Sequence, residues 1–529
     1  MKRPDMLARL EAREPWDLLV IGGGATGLGI AVDAAARGYR VLLAERGDFA
    51  QGTSSRSTKL VHGGVRYLQQ GNVALVMDAL RERGILRRNA PHLVHDLAFV
   101  VPSYEWWESP FYGIGLKVYD LLAGEYGFGP SAHLSREEVL AAIPTIETAG
   151  LRGGTRYYDG QFDDARLAIH LVRTAAGQGA TLLNYCEAVA LTKDGAGRIT
   201  GAVLSDRESG HAHTVAARAV INATGPFCDG VRRLDQADAP PLIAPSQGSH
   251  LVLDGDFLPG DSAIMVPHTD DGRILFAIPW HGKTLLGTTD VALDAVPAEP
   301  KPEQEEIDFI LATANRYLAR HARHEDIRSI FAGIRPLVRG DGGSTASLSR
   351  DHSILIDPHS GLLTIAGGKW TTYRRMAEEA VDLAATLAGL PGRPCPTRDL
   401  PIHGAATVLD GADPLAPYGA DAAAIRRLVH GNPALGLPLH PRLPAIAAEV
   451  TWACREEMAH SVEDVLARRT RSLLLDAGAA HAAAPTVARL MAHELGHNAS
   501  WEARQVAAFQ TLAANYLIPG WTSPPCQAS

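Results

Sequence analysis

The chain has 529 residues, of which 46% are hydrophobic and 21% are charged, as is typical of a globular protein with two or three domains. Its formal net charge of −9, with no long basic run, argues against a nucleic-acid-binding protein. The sequence has no run of about 18 uninterrupted apolar residues, which argues against a membrane-spanning helix but leaves binding to a membrane surface open.

The cysteines argue against a metal cluster and favour a reducing compartment. An odd, sparse count is unusual in disulfide-bonded secreted proteins, and no Cys-x-x-Cys pair provides ligands for zinc or an iron–sulfur cluster. The charged N-terminus also lacks the apolar core of a secretion signal. The five cysteines are Cys186, Cys228, Cys395, Cys454 and Cys526.

The first predicted unit is a strand, a glycine turn, a helix and a second strand. The strand Leu18–Ile21 leads into Gly22-Gly23-Gly24-Ala25-Thr26-Gly27, a helix follows over Leu28–Arg37, and a second strand over Arg40–Ala44 ends at Glu45. This order is typical of a dinucleotide-binding site, where the turn and the N-terminus of the helix face a diphosphate. Glu45 is placed to accept hydrogen bonds from ribose hydroxyls, and its charge disfavours NADP.

The next segment contains a charged helix over Asp78–Arg88 and then an aromatic and aliphatic stretch over Tyr104–Ala123. Two interpretations of this stretch remain open. It is either a buried helix of a cap, which we favour, or a surface that dips into lipid, since tryptophan and tyrosine prefer the membrane interface.

Further strands and helices follow in the middle of the chain. A helix begins at Asp163, short strands are predicted over Thr181–Asn184 and Arg198–Leu204, and the strand Ala219–Ala223 enters a turn at Thr224-Gly225. Strand signals separated by Gly, Asp and Pro turns then predict a mostly antiparallel sheet. They span His250–Leu253, Ser262–Val266, Arg273–Ile278 and Thr284–Leu286.

The last third holds a second strand–glycine–helix unit and a helical region. The strand Leu362–Ala366 leads into Gly367-Gly368-Lys369 and a helix over Thr371–Leu387. A proline-rich linker over Leu390–Pro401 then precedes a separate domain. Its predicted helices are Ile446–Glu456, Val462–Leu474 and Thr486–Leu495.

Together these motifs resemble the FAD-dependent glycerol-3-phosphate dehydrogenases of the aerobic respiratory type, and the resemblance covers nearly the whole chain. Beyond the first glycine turn it rests on specific segments. They are residues 54–67 (SSRSTKLVHGGVRY), 222–226 (NATGP), 248–250 (GSH), 287–290 (GTTD), 333–337 (GIRPL), 367–374 (GGKWTTYR) and 463–471 (EDVLARRTR).

The resemblance implies an α/β fold. A Rossmann-like FAD-binding domain would be built from residues 1–100, 150–240 and 330–395. A mainly antiparallel substrate-binding sheet and cap would be inserted at 100–150 and 241–330, and a C-terminal all-helical cap domain would span 402–529.

The implied reaction is oxidation of sn-glycerol 3-phosphate to dihydroxyacetone phosphate, with hydride transfer from C2 to flavin N5. The implied acceptor is a membrane quinone, which places the protein peripherally on the cytoplasmic face of the membrane. A glycerol-3-phosphate oxidase that uses oxygen is the rival, and an amino-acid oxidase is disfavoured by the cationic residues. A homodimer remains open.

The resemblance also assigns residues to the substrate. Arginine suits phosphate because its planar fork binds two oxygens at once. A neutral imidazole accepts a proton near physiological pH, so His62 on the flavin side and His250 on the substrate side compete as the base. An arginine with a neighbouring water is a further candidate. The implied substrate-binding residues are Arg66, Tyr67, His250, Arg335, Arg350 and Lys369, and the catalytic ones are His62, His250 and Arg335.

The cofactor residues implied by the same resemblance surround the two glycine turns and the segment after them. They are Gly22, Gly24, Ala25, Thr26, Gly27, Glu45, Arg46, Thr53, Ser54, Ser55, Lys59, Leu60, His62, Gly63, Gly64, Ala188, Val189, Thr224, Gly225, Gly368, Lys369 and Thr371.

One motif is rejected as a zinc site. His493-Glu494-Leu495-Gly496-His497 matches H-E-x-x-H, but the extended form of that signature needs a third histidine at position 503, which is Ala503. We therefore expect no resident metal.

Overall fold

The computed structural model describes residues 1–11, 14–64, 72–106, 108–266, 269, 273–339 and 352–520. In these ranges the strands are β1 (Trp16–Ile21), β2 (Val41–Ala44), β3 (Leu60–Val61), β4 (Val94–Ser103), β5 (Ala132–Ser135), β6 (Gly153–Phe162), β7 (Thr181–Leu183), β8 (Cys186–Lys193), β9 (Ile199–Asp206), β10 (Ala212–Asn222), β11 (Ile243–Asp254), β12 (Ser262–Val266), β13 (Leu275–Trp280), β14 (Lys283–Gly287), β15 (Val291–Ala292), β16 (Ile327–Val338), β17 (His352–Ile356) and β18 (Leu363–Gly367).

The helices lie between these strands and in the C-terminal region. They span Arg3–Ala8, Ala25–Ala36, Val73–Asn89, Glu108–Ala123, Arg136–Ala142, Asp164–Gly177, Cys228–Asp235, Gln304–Ala314, Tyr373–Leu387, Ala422–Gly431, Ala447–Glu456, Ser472–Leu475, Ala477–Leu495 and Ala499–Ala513, with a π-helical turn over Asp464–Arg469.

The first sheet has the path β17-β18-β10-β1-β2-β7, and β8 and β9 extend it through β10. Strands β18, β10, β1, β2 and β7 run parallel to one another, whereas β17 and β9 join them antiparallel. A parallel sheet is buried on both faces, which explains the continuous apolar run of β1. One face packs against the helices Ala25–Ala36, Asp164–Gly177 and Tyr373–Leu387.

The second sheet has the path β15-β11-β14-β13-β12-β4-β6-β3, with β16 paired to β11 and β5 to β6. Among the strand pairs that the described residues form in this sheet, only β4–β12 is parallel, so the sheet is mainly antiparallel. The helix Gln304–Ala314 packs on one face, and the C-terminal helices pack on the other, where Phe331 and Leu285 meet Leu474 and Ala479.

This architecture confirms the expected α/β fold with an inserted antiparallel sheet and a helical C-terminal domain. The pairing places β4 and β6 in the second sheet, although the predicted domain boundaries at residues 100 and 150 assign most of these strands to the nucleotide-binding part. Tertiary pairing causes the difference, because each strand is locally compatible with either sheet.

The predicted helix Val462–Leu474 is wrong as a single helix. The chain instead forms the π-helical turn Asp464–Arg469, passes through Arg471 with a positive φ of 58°, and restarts at Ser472. Periodicity alone misses this break because apolar residues recur on both sides of it. The turn carries Arg468 and Arg469.

The helix Glu108–Ala123 is buried on one side only, so the favoured interpretation of a buried cap helix is wrong for its outer face. Leu116 and Tyr119 are 1% exposed, whereas Ile114 and Leu121 are 70% and 81% exposed. Phe111 and Val118 also lie on the outer side, and Trp106 just before the helix is exposed. Among the described residues, no helix is both long enough and apolar enough to cross a bilayer.

Candidate active site

A cleft of about 1730 Å³ lies where the carboxyl ends of β1, β10 and β18 face the second sheet. The edge of the first sheet contributes the turns after Ile21, Ala223 and Gly367. In open α/β folds this edge is where ligands bind, because the strands end there and turns project from them. The second sheet contributes an apolar wall that includes Phe99, Tyr157, Met265 and Phe276.

The first glycine turn requires glycine for steric reasons. Gly22 has a φ of +110°, and a Cβ atom there would lie 2.6 Å from the carbonyl oxygen of Ala223. A Cβ atom at Gly27 would lie 1.9 Å from the carbonyl oxygen of Gly22. The helix therefore starts directly behind the turn, and its N-cap residue, Gly24, has no side chain to cap the first N–H groups.

Glu45 braces this turn. One carboxylate oxygen accepts from the backbone N–H of Gly23 at 2.7 Å, and the other accepts from Gly47 at 2.9 Å. Burial raises the pKa of the Glu45 carboxyl, and the two N–H donors oppose that shift. Glu45 thus orders the turn from within the protein while it lines the cleft.

Most residues assigned to the cofactor line this one cleft. They are Gly22, Gly24, Ala25, Thr26, Glu45, Arg46, Thr53, Ser54, Leu60, His62, Gly64, Ala188, Val189, Thr224, Gly225, Gly368, Lys369 and Thr371. Gly27, Ser55, Lys59 and Gly63 do not belong to the lining.

The expectation that Lys59 lines the flavin is wrong. Its side chain is fully buried, and Nζ donates to both carboxylate oxygens of Asp164 at 2.8 Å and to the carbonyl oxygen of Ser55 at 2.7 Å. A buried ammonium group requires a buried partner, and Asp164 provides it. Ser55 is likewise buried beside this pair.

Gly63 also lies behind the lining, because its N–H donates to the hydroxyl of Tyr119 at 2.8 Å. Lys59, Ser55 and Gly63 thus belong to the packing behind the cleft. Sequence motifs do not distinguish a residue that lines a site from one that supports it.

His250 lies on β11, in the wall of the cleft that the second sheet contributes. Its Nε2 is 2.9 Å from Oγ1 of Thr58, and its ring stacks on Phe331 with a centroid distance of 4.7 Å. Burial, helped by the positive charges of Arg335 and Lys59, lowers the pKa of His250 well below its usual value. The imidazole is therefore neutral at physiological pH.

Two arginines converge on Asp290 in the cleft. Arg335 donates to the carbonyl oxygen of Thr289 at 2.9 Å and to Oγ1 of Thr288 at 3.1 Å. Arg273 donates to the carbonyl oxygen of Asp290 at 2.7 Å. Both guanidinium groups lie 3.5 Å from the carboxylate of Asp290 and line the cleft.

Arg273 was missed by sequence reasoning, which placed it at the start of a strand. The structure starts β13 two residues later, at Leu275. One signal was available in the sequence. Arg273 comes just before the predicted β13–β14 hairpin, and the second strand of that hairpin leads into the motif Gly287-Thr288-Thr289-Asp290.

The remaining predicted residues divide into two groups. His62 and Lys369 line the cleft, and the N–H of His62 donates to Oγ1 of Thr371 at 3.2 Å. Arg66, Tyr67 and Arg350 lie outside the described residues.

Two residues of the H-E-x-x-H motif, Glu494 and His497, contact neighbouring side chains of the C-terminal domain. Glu494 accepts from Arg455 at 2.7 and 2.9 Å, and the ring of His497 stacks on Trp501 with centroids 4.5 Å apart. Across the described ranges, no group of three or more His, Cys, Asp or Glu side chains is arranged to hold a metal ion.

Comparisons with known proteins give consistent matches. Residues 17–374 match the family described as FAD dependent oxidoreductase, and residues 395–502 match the C-terminal domain of alpha-glycerophosphate oxidase. A mitochondrial glycerol-3-phosphate dehydrogenase of Arabidopsis thaliana is 41% identical over 530 residues, covering 91% of this chain and 83% of that relative.

Solved structures extend the likeness to the fold. The glycerol-3-phosphate dehydrogenase from Bacillus halodurans, complexed with FAD, is 31% identical with a TM-score of 0.77 and covers 99% of each chain. An L-alpha-glycerophosphate oxidase from Mycoplasma pneumoniae with FAD bound is 18% identical with a TM-score of 0.54, covering 70% of this chain and 95% of that chain. At this identity the second likeness shows the fold alone.

Proposed function

The chain belongs to the FAD-dependent glycerol-3-phosphate dehydrogenases, and on that premise we propose that it oxidises sn-glycerol 3-phosphate to dihydroxyacetone phosphate and passes the electrons to a membrane quinone. The observation that carries the proposal is the single cleft. It joins the dinucleotide turn at Gly22 to a neutral histidine, His250, and to the cations Arg273, Arg335 and Lys369.

The residues present fit FAD, which is the cofactor of this family. The turn at Gly22 and the helix that follows it suit a diphosphate, since the N-cap residue Gly24 has no side chain, although the N–H of Ala25 itself donates to Oγ of Ser54 at 2.9 Å. Glu45 beside them suits ribose hydroxyls. The glycine turns at Gly225 and Gly368 allow close approach of the backbone. Bound FAD supplies the hydride acceptor for C2 of the substrate.

Arg335, Arg273 and Lys369 bind the substrate phosphate in this proposal. Two guanidinium groups and one carboxylate, Asp290, leave one net positive charge, and Lys369 adds another. That positive charge balances a phosphate monoester, whose own charge near neutral pH is about −1.5 to −2. Asp290 also fixes the direction of both arginine forks, so less side-chain entropy is lost on binding.

His250 accepts the proton of the C2 hydroxyl in this proposal. Its neutral imidazole has a proton-accepting nitrogen, and its ring is held in place by Phe331 and Thr58. His62, which also lines the cleft, stays the alternative base. The rates of flavin reduction in His250→Asn and His62→Asn distinguish the two.

The absorption spectrum tests the reaction directly. Purified protein is expected to be yellow and to lose its flavin absorbance when glycerol 3-phosphate is added without oxygen. Glycerol without the phosphate is the matched control and is expected to bleach the flavin far more slowly. A yellow protein whose spectrum does not respond to glycerol 3-phosphate contradicts the proposed substrate.

The acceptor is tested separately, because the C-terminal family match is to a domain of an oxidase. After anaerobic reduction, the enzyme is expected to be reoxidised rapidly by a ubiquinone analogue and slowly by oxygen in stopped-flow experiments. Fast reoxidation by oxygen with stoichiometric peroxide supports the oxidase instead.

The outer face of the helix Glu108–Ala123 supports the membrane part of the proposal. Ile114, Val118 and Leu121 follow helical spacing on that face, with Trp106 nearby and Lys117 exposed among them. A quinone is confined to lipid, so an enzyme that reduces it requires contact with the bilayer. Apolar side chains beside a lysine are typical of helices that lie in the interface.

Replacing Ile114 and Leu121 together by glutamate is expected to lower partitioning onto phospholipid vesicles about tenfold or more, because two apolar contacts become charges at the interface. Co-sedimentation with vesicles measures this. Leu437→Glu is the matched control, since Leu437 is also exposed but lies in the C-terminal domain. Equal binding of the double variant and the parent rules out this face as the contact surface.

A further inference from the structure

The loop of residues 45–53 forms one wall of the cofactor side of the cleft. Its lining residues are Glu45, Arg46, Ala50, Gln51, Gly52 and Thr53. The loop is joined to the first glycine turn, since Ala50 N–H donates to the carbonyl oxygen of Gly23 at 2.9 Å and Gly23 N–H donates to Glu45. A shift of the loop therefore shifts the turn that faces the diphosphate.

Asp48, at the centre of this loop, is held by the C-terminal domain. Nη1 and Nη2 of Arg469 donate to the two oxygens of its carboxylate at 2.6 and 2.9 Å, and Nε of Arg468 donates to the same group. Asp48 and Arg469 are fully buried. Burial alone would raise the pKa of Asp48, but the charges of Arg469 and Arg468 outweigh it and hold that pKa below its usual range.

A second connection runs beside the first. Nη1 of Arg468 donates to Glu463 at 2.7 Å, and the same carboxylate oxygen accepts from Nε2 of Gln51 at 3.0 Å. Gln51 lines the cleft, so this path leads directly from the C-terminal domain to the cofactor wall.

The conformation of the turn brings both arginines to one carboxylate. Consecutive side chains on a regular α-helix point about 100° apart, whereas Arg468 and Arg469 lie at the end of the π-helical turn Asp464–Arg469. Sequence position alone gave them no role in the site, and π-helical turns occur often at functional sites.

We infer that Arg468 and Arg469 are positioning residues for FAD: they fix the loop of residues 45–53 from the C-terminal domain and so set how tightly the cofactor is held. The inference rests on FAD lying in the cleft, as proposed above, and does not depend on the substrate or the electron acceptor. It gives the C-terminal domain a role in cofactor retention.

The rate of FAD release from the holoenzyme tests the inference. After dilution, the rise in flavin fluorescence is measured for the parent, Arg469→Lys, Arg468→Lys and Asp48→Asn. The lysine variants keep the charge but lose the planar fork. Release is expected to be about tenfold faster or more in Arg469→Lys and Asp48→Asn, because charge-assisted hydrogen bonds to the loop are lost. Far-UV circular dichroism is expected to stay unchanged.

Arg455→Lys is the control, because Arg455 also makes a two-pronged pair in the same domain, here with Glu494 nearer the surface, and does not contact the loop. Its release rate is expected to equal that of the parent. If Arg469→Lys does not fold, the rates of FAD release from Arg468→Lys and Asp48→Asn test the inference instead. Parent-like release in those two variants overturns the inference, and so does equally accelerated release in the control. A protein that releases FAD as expected but ignores glycerol 3-phosphate contradicts only the proposed substrate.

Discussion

Replacing His250 by asparagine is expected to slow flavin reduction by glycerol 3-phosphate about 10²- to 10⁴-fold, the range typical for loss of a general base. The imidazole is neutral and buried, and it is held between Phe331 and Thr58 on the substrate wall of the cleft. Asparagine keeps a polar group of similar size but does not accept a proton usefully near neutral pH. Anaerobic single-turnover stopped-flow at saturating substrate measures the effect.

The pH dependence gives the second half of this test. Because burial, Arg335 and Lys59 lower the pKa of His250 well below 6.5, its base form persists as the pH falls through that value. Flavin reduction by the parent is therefore expected to stay constant down to pH values below about 6.5 and to decline only in more acidic solution. His62→Asn is the matched control, and it is expected to keep this profile. A far greater loss in His62→Asn than in His250→Asn assigns the proton transfer to His62.

Replacing Arg335 by alanine is expected to lower kcat/KM for glycerol 3-phosphate about a hundredfold, mainly through KM, while the flavin spectrum stays intact. Charge-assisted hydrogen bonds contribute about 1.5–3 kcal/mol each, and about 2.7 kcal/mol corresponds to that factor. Arg335→Lys is expected to fall between the parent and the alanine variant, because it retains the charge without the fork. Steady-state kinetics with an artificial electron acceptor measures both.

Arg328→Ala is the control for this substitution. Arg328 lies on the same strand, β16, but pairs with Asp254 and does not line the cleft. Its KM is expected to match that of the parent. An unchanged KM in Arg335→Ala removes this residue from the phosphate site and leaves Arg273 and Lys369 as the cations that bind the phosphate.

The sequence determined the parts of the fold whose signals are local. The strand, glycine turn and helix at residues 16–36 were predicted to within about three residues at each end, because apolar runs, glycine spacing and helix periodicity all act within a few residues. The late unit at Leu363–Leu387 and the antiparallel strands β11–β14 were predicted for the same reason. The cofactor residues were assigned from family-specific motifs, and most of them line one cleft in the structure.

Only the tertiary structure decided which polar residues face the cleft and which support it from behind. Lys59 turned out to be buried against Asp164, 105 positions away in the chain, and Arg273 turned out to line the cleft. The contact of Arg469 with Asp48 joins residues 421 positions apart. A buried charge is stable only beside its partner, and the partner is chosen by how distant segments pack, which no local pattern records.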